Sequence, residues 1–142
     1  MAFRLIVGLG NPGDEYRFTR HNLGFLILEE VARKKRVSFK RDRLFLGSIA
    51  RGEGFILLKP ETFMNLSGQS VEIFLRKEGI KTDEILVIHD EVALLFGELR
   101  LKVGGSSGGH NGVQSVLETI GYADFTRLRA GVGPYKGSLD RE

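Results

Sequence analysis

Three histidines and four asparagines are spread through the chain, and most stand beside one another or beside an acid. Asn11 follows an apolar run, His21 adjoins Asn22, Asn65 precedes a patterned stretch, His89 is followed by Asp90, and His110 is followed by Asn111. An imidazole with an ordinary pKa near about 6.5 takes a proton from water close to neutral pH. A carboxylate on its other nitrogen fixes the tautomer and stabilises the charged form. Neutral amides hold a carbonyl or a water without adding net charge. Together with helix N-terminal N–H groups they also stabilise an oxyanion. These residue types are equipment for hydrolysis by activated water. A single asparagine in a turn has an ordinary local explanation. It is the repeated pairing of His with Asn or Asp at separate junctions that points to chemistry. No G-x-S-x-G elbow, no H-E-x-x-H and no cysteine occur, which argues against a serine nucleophile and gives no metal-ligand spacing.

The elements that must carry these residues alternate between strand and helix. Phe3 to Leu9 is apolar and β-branched and reads as a buried strand; Gly10, Pro12 and Gly13 then break regular structure as far as His21. Asn22 is placed to cap a helix to about Arg36, with Leu23, Leu26, Ile27, Glu30 and Val31 on one mostly apolar face and Arg33 to Arg36 loading its last turn. Leu44 to Ala50 and Phe55 to Leu58 suggest a hairpin. Ser67 to Glu78 is a helix stopped by Gly79, with Val71, Phe74 and Leu75 inward. Ile85 to Ile88 is a short apolar strand that ends at His89 and Asp90. Glu98 to Val103 is another strand, and the glycine loop 104–112 leads into a helix to Ile120. Phe125 to Val132 is the last strand. The expected class is α/β: a single domain with a twisted mixed β-sheet and helices on both faces, whose site lies at the carboxyl ends of strands.

Length and composition agree with one globular domain: 142 residues, 42% hydrophobic, with no apolar stretch near the roughly 20 residues of a membrane span. The absence of cysteine fits a reducing compartment, and the expectation is a cytoplasmic monomer. A net charge of +3 favours an anionic partner slightly. On a strand, Arg100 and Lys102 share one face, as do Arg127 and Arg129, and two such pairs could seat phosphates. The plain alternative is a solvated strand face. Gly8-Leu9-Gly10-Asn11-Pro12-Gly13 also fits the dinucleotide pattern G-x-G-x-x-G. However, Pro12 and Gly13 delay the helix, and the acidic residue expected about 20 positions later is missing.

These motifs, in this order, resemble those of the bacterial peptidyl-tRNA hydrolase family. The opening signature is similar at Gly8-Leu9-Gly10-Asn11-Pro12-Gly13, Tyr16 and Thr19-Arg20-His21-Asn22. The second is similar at Thr62-Phe63-Met64-Asn65-Leu66-Ser67-Gly68, the third at His89-Asp90-Glu91, and the fourth at Gly108-Gly109-His110-Asn111-Gly112. Arg127-Leu128-Arg129 with Gly131-Val132-Gly133 resembles the last core strand. The resemblance implies an α/β domain that hydrolyses the ester between a peptide and the 3′ ribose of tRNA, without metal or cofactor. It implies His21 as catalytic base and Asp90 as its partner. It assigns Asn11 and Asn65 to positioning of peptide and water, and Asn111 to the surroundings of the scissile carbonyl. Tyr16, Met64 and His110 would line the cleft, and Lys102 and Arg129 would clamp a phosphate of the tRNA acceptor stem.

Two departures accompany it. Where the family continues with Leu-Asp-Leu and prolines, this chain has Val92-Ala93-Leu94-Leu95-Phe96-Gly97, so a looser loop is expected there. The chain also stops at Glu142, short of the family's lid and C-terminal helices, which is expected to open the cleft and expose apolar surface. Three rival readings remain: an RNA-binding relative without catalysis, a nucleotide-binding domain, and an esterase for small substrates.

Overall fold

The computed structural model describes residues 3–13, 19, 22–121 and 125–133. Seven strands and three helices are assigned there: β1 (Leu5–Gly8), α1 (Leu23–Lys35), β2 (Lys40–Asp42), β3 (Gly47–Arg51), β4 (Ile56–Pro60), α2 (Ser67–Glu78), β5 (Ile85–Leu95), β6 (Leu99–Val103), α3 (Asn111–Ile120) and β7 (Thr126–Gly133). They form one sheet in the order β2-β3-β4-β1-β5-β7-β6. The inner pairs β1–β4, β1–β5 and β5–β7 are parallel, while β2–β3, β3–β4 and β6–β7 are antiparallel. The expected mixed α/β sheet is the observed one.

Period-2 alternation explains why both faces need helices. Leu5, Val7, Ile85 and Val87 point into a cluster with Val71, Phe74, Val116 and Leu117 of α2 and α3. The alternate residues Ile6, Leu86 and Ile88 join Leu28 and Ala32 of α1 on the opposite face. Complete burial of such side chains contributes about 1.5–3 kcal/mol each, which makes this two-sided core the main source of stability. The α1–sheet contact depends on glycine: a Cβ on Gly24 would lie 2.5 Å from the Leu9 carbonyl oxygen and 2.7 Å from that of Ile88.

Several expectations are corrected. The buried stripe of α1 is Gly24, Phe25, Leu28 and Ala32, not the face through Leu23, Leu26 and Glu30. Small residues at 24 and 32 mark the helix side that can approach the sheet closely, and a search for bulky apolar spacing passes over them. Lys40–Asp42 is a strand despite its three charged residues, because it needs only one partner, β3, at the sheet margin. Strand β5 does not end at Ile88. It continues to Leu95, pairing with β7 through Glu91 and again at Leu95, with an irregularity between. His89 and Asp90 therefore sit inside a strand, and Val92 to Leu95, expected as a loose loop, belongs to it.

Candidate active site

Strand β1 is the switch point of the sheet, because the chain leaves it toward β4 by way of α1 on one face and leaves β4 toward β5 by way of α2 on the other. A crevice at the carboxyl ends of the strands follows from that wiring. Asn11, just beyond β1, is held there from three directions. Its backbone N–H donates to Asn22 Oδ1 at 2.7 Å, its carbonyl accepts from Asn22 Nδ2 at 2.9 Å, and its own Oδ1 accepts from the Met64 N–H at 2.8 Å. With the oxygen engaged, the amide nitrogen is the donor end of the Asn11 side chain. Asn22, expected to cap α1, makes no side-chain cap bond; it spends both ends of its amide on Asn11.

Met64 opens a short 3₁₀ turn before α2 and is buried, whereas Asn65 beside it is exposed. Gly112 in the first turn of α3 makes room for it: a Cβ there would stand 2.6 Å from Met64 Sδ. The same turn carries the most informative bond of the molecule. His110 Nδ1 accepts from the N–H groups of Gly112 and Val113 at 3.0 and 3.2 Å, so it caps α3 with its ring. That fixes the proton on Nε2, which donates to Asp90 Oδ1 at 2.7 Å. Both side chains are nearly inaccessible, at 7% and 3%. A carboxylate bonded to an imidazole whose tautomer is set by a helix terminus is a fixed acceptor able to support a second proton-carrying group. Asn111, the first residue of α3, is exposed next to this pair.

His89 stands behind it. Its ring meets that of His110 edge-on at 4.8 Å, and its Nδ1–H donates to the Asp90 carbonyl at 2.7 Å. Burial, with the positive fields of His110 and Arg127, pushes its pKa down to about 4, so His89 is neutral at physiological pH. Arg129 pairs in register with His89 and approaches Glu91, with Nη1 3.8 Å from Oε1. Lys102 lies on the edge strand β6 opposite Arg127. On the other side of the crevice, an open cavity of about 210 Å³ is lined by Asn11, Asn22, Phe25, Glu29, Lys59 and Glu61. Its charges are already matched: Lys59 Nζ donates to Glu29 at 2.9 Å, and Glu61 accepts from Ser48 at 2.6 Å.

Of the residues singled out in the sequence, the structure joins Asn11 to Met64, Met64 to the start of α3, and His110 to Asp90. His21 and Tyr16 lie outside the described residues. Lys102 and Arg129 share the basic side of the sheet, on neighbouring strands. Sequence reasoning missed Asn22 as the clamp on Asn11 and His89 as the support of Asp90. Both would have been caught by asking where a buried amide or imidazole finds its partners.

This arrangement can be set beside known proteins. The sequence profile described as peptidyl-tRNA hydrolase matches residues 5–141. The chain belongs to the peptidyl-tRNA hydrolase family. It is 46% identical over 141 residues to the Peptidyl-tRNA hydrolase of Syntrophotalea carbinolica, covering 96% of this chain and 73% of that protein. It is 48% identical over 136 residues to that of Neisseria meningitidis serogroup B, covering 93% and 71%. The crystal structure of peptidyl-tRNA hydrolase from Acinetobacter baumannii superimposes with a TM-score of 0.89 at 47% identity, over 98% of this chain and 72% of that one. Family members thus share the fold, and the sheet order described above is the frame on which the pair His110–Asp90 is built.

Proposed function

We propose that this chain hydrolyses the ester bond between peptide and tRNA in peptidyl-tRNA, releasing tRNA for reuse in translation. The observation that carries the reading is the buried bond from His110 Nε2 to Asp90 in a chain of this family, beside an anchored Asn11. In the proposed reaction His21 takes a proton from water, and the resulting hydroxide attacks the ester carbonyl. The tetrahedral intermediate collapses by expelling the ribose 3′ oxygen, which recovers the proton from the imidazolium. Asp90 orients His21 and stabilises its charged form, while His110 holds the Asp90 carboxylate in place. The amide nitrogen of Asn11, with Asn65 and Asn111 exposed at the crevice, positions peptide, carbonyl and water. Tyr16 and Met64 line the cleft. Lys102 and Arg129 draw the acceptor stem onto the basic face of the sheet by phosphate contacts, a sequence-independent attraction suited to a substrate class with many members.

No helix among the described residues is long and apolar enough to cross a membrane. The substrate arises where translation occurs, which assigns the protein to the cytoplasm, and every proposed group comes from one chain, so a monomer suffices. Incubation of the chain with purified peptidyl-tRNA tests the reading. Multiple-turnover release of free tRNA is expected. Tight binding with release no faster than the spontaneous reaction would replace it with the non-catalytic RNA-binding alternative.

A further inference from the structure

The basic face of the sheet holds four cations, and the structure treats them unequally. Arg100 has Glu98 at 3.8 Å and Arg129 has Glu91 at 3.8 Å. Lys102 and Arg127, paired in register across β6 and β7, have no acid partner among the described residues. Arg127 is the anomaly: it is 3% exposed, burial pushes its pKa down, and its Nε has no hydrogen-bond partner. A guanidinium out of water without an anion is strongly disfavoured, so evolution keeps one where an anion arrives. Two more buried polar atoms on this face are unsatisfied, Arg129 Nε and His89 Nε2. His89 is kept neutral at its spot and adds a polar wall without an extra charge.

The space for the anion is visible at Gly105, which has φ +90°. The point where a Cβ would stand is 2.9 Å from Lys102 Nζ and 3.5 Å from Arg127 Nη2, so both cations converge under a residue that has no side chain. Counting the four cations against Glu91 and Glu98 leaves a net charge of +2, that of a seat for a dianion. A terminal phosphate carries nearly two charges at pH 7, whereas an internal phosphodiester carries one. Arg127 pairs with Val87, three residues before Asp90 on β5, which puts the seat roughly 10 Å from the proposed reaction centre along the strand.

We propose that Lys102 and Arg127, with Arg127 as its buried half, form the core of a seat for a terminal phosphate, and that Arg129, which already has Glu91, flanks it. The idea rests on the proposed tRNA substrate, and the test reads binding without catalysis. An acceptor-stem RNA hairpin is made with a 5′ phosphate or a 5′ hydroxyl and titrated against wild type, Arg127→Met, Arg127→Lys and Arg129→Gln. Wild type should prefer the phosphorylated hairpin roughly 10- to 100-fold, the worth of a charge-assisted contact. Arg127→Met should bind both hairpins alike and melt no lower than wild type, because an unpaired buried cation is replaced by an apolar chain of similar length. Arg129→Gln should keep most of the preference. A phosphate preference intact in Arg127→Met, or lost only in Arg129→Gln, overturns the assignment, as does a wild type indifferent to the phosphate. If Arg127→Met does not fold, Arg127→Lys decides: a reduced preference supports the seat and an unchanged one refutes it. Hydrolysis without phosphate preference removes the seat alone, and phosphate preference without hydrolysis removes the function alone.

Discussion

The two halves of the sheet handle charge in opposite ways. On the β4 side, Lys59 is bonded to Glu29 and lies 4.3 Å from the Phe39 ring centre, Glu61 is shared by Ser48 and Arg41, and Arg51 reaches Glu78. On the β7 side, Arg127 is buried without an acid among the described residues, Arg129 and Arg100 only approach theirs, and His89 Nε2 has no partner. Both regions are strand-rich and both carry basic residues. The difference teaches that matched charges hold the fold, while unmatched ones are kept for something that is not part of the chain. The reaction centre lies between the halves, where β1 and β5 end.

Four measurements would break or sharpen that contrast. The largest effect belongs to the centre: His21→Ala should lower kcat by roughly 10²–10⁴ while substrate still binds, the usual worth of a general base. Near-normal turnover would remove His21 from the reaction. Next is the pH response of the β7 half. Unfolded, His89 takes up a proton near pH 6.5, but in the folded chain not until about pH 4. Between those values the unfolded state binds more protons. The stability from this group is therefore complete above pH 6.5 and falls as pH drops toward 4, by up to about 3 kcal/mol. Thermal melts across that window should show the loss in wild type and not in His89→Gln; equal slopes would deny that His89 is buried neutral. On the β4 side, Lys59→Ala should cost about 1–3 kcal/mol of stability, because it removes the cation beside Glu29, and leave turnover per folded molecule unchanged. A change in kcat without a change in stability would blur the two halves. The smallest effect is expected at an exposed helix pair: Arg76→Ala should shift stability by at most about 0.5 kcal/mol in urea titration.

Much of the frame was legible because burial imposes periodicity. Ser67–Glu78 and its Gly79 stop match the expectation, and the order of elements follows from alternating apolar runs. The misses share a cause. Strand β2 is all charged, β5 runs on past its apolar stretch, and α1 buries glycine and alanine, so in each case tertiary pairing outweighs the local pattern. The site was legible as a set of residue types but not as a set of bonds. Asp90 was expected to serve His21, and the described bond runs to His110; Asn22 looked like a helix cap and proved to be a clamp. Which buried polar atom meets which is decided by packing between distant segments, and no spacing rule contains it.

Asp90→Asn probes the account most directly. The replacement amide oxygen can still accept from His110 Nε2, so the fold and the cap of α3 should persist, while the negative charge behind the base is gone. Single-turnover hydrolysis of peptidyl-tRNA with enzyme in excess isolates the chemical step. The account predicts a rate at least about 10²-fold below wild type with unchanged substrate affinity and melting temperature. A variant as fast as wild type would contradict it.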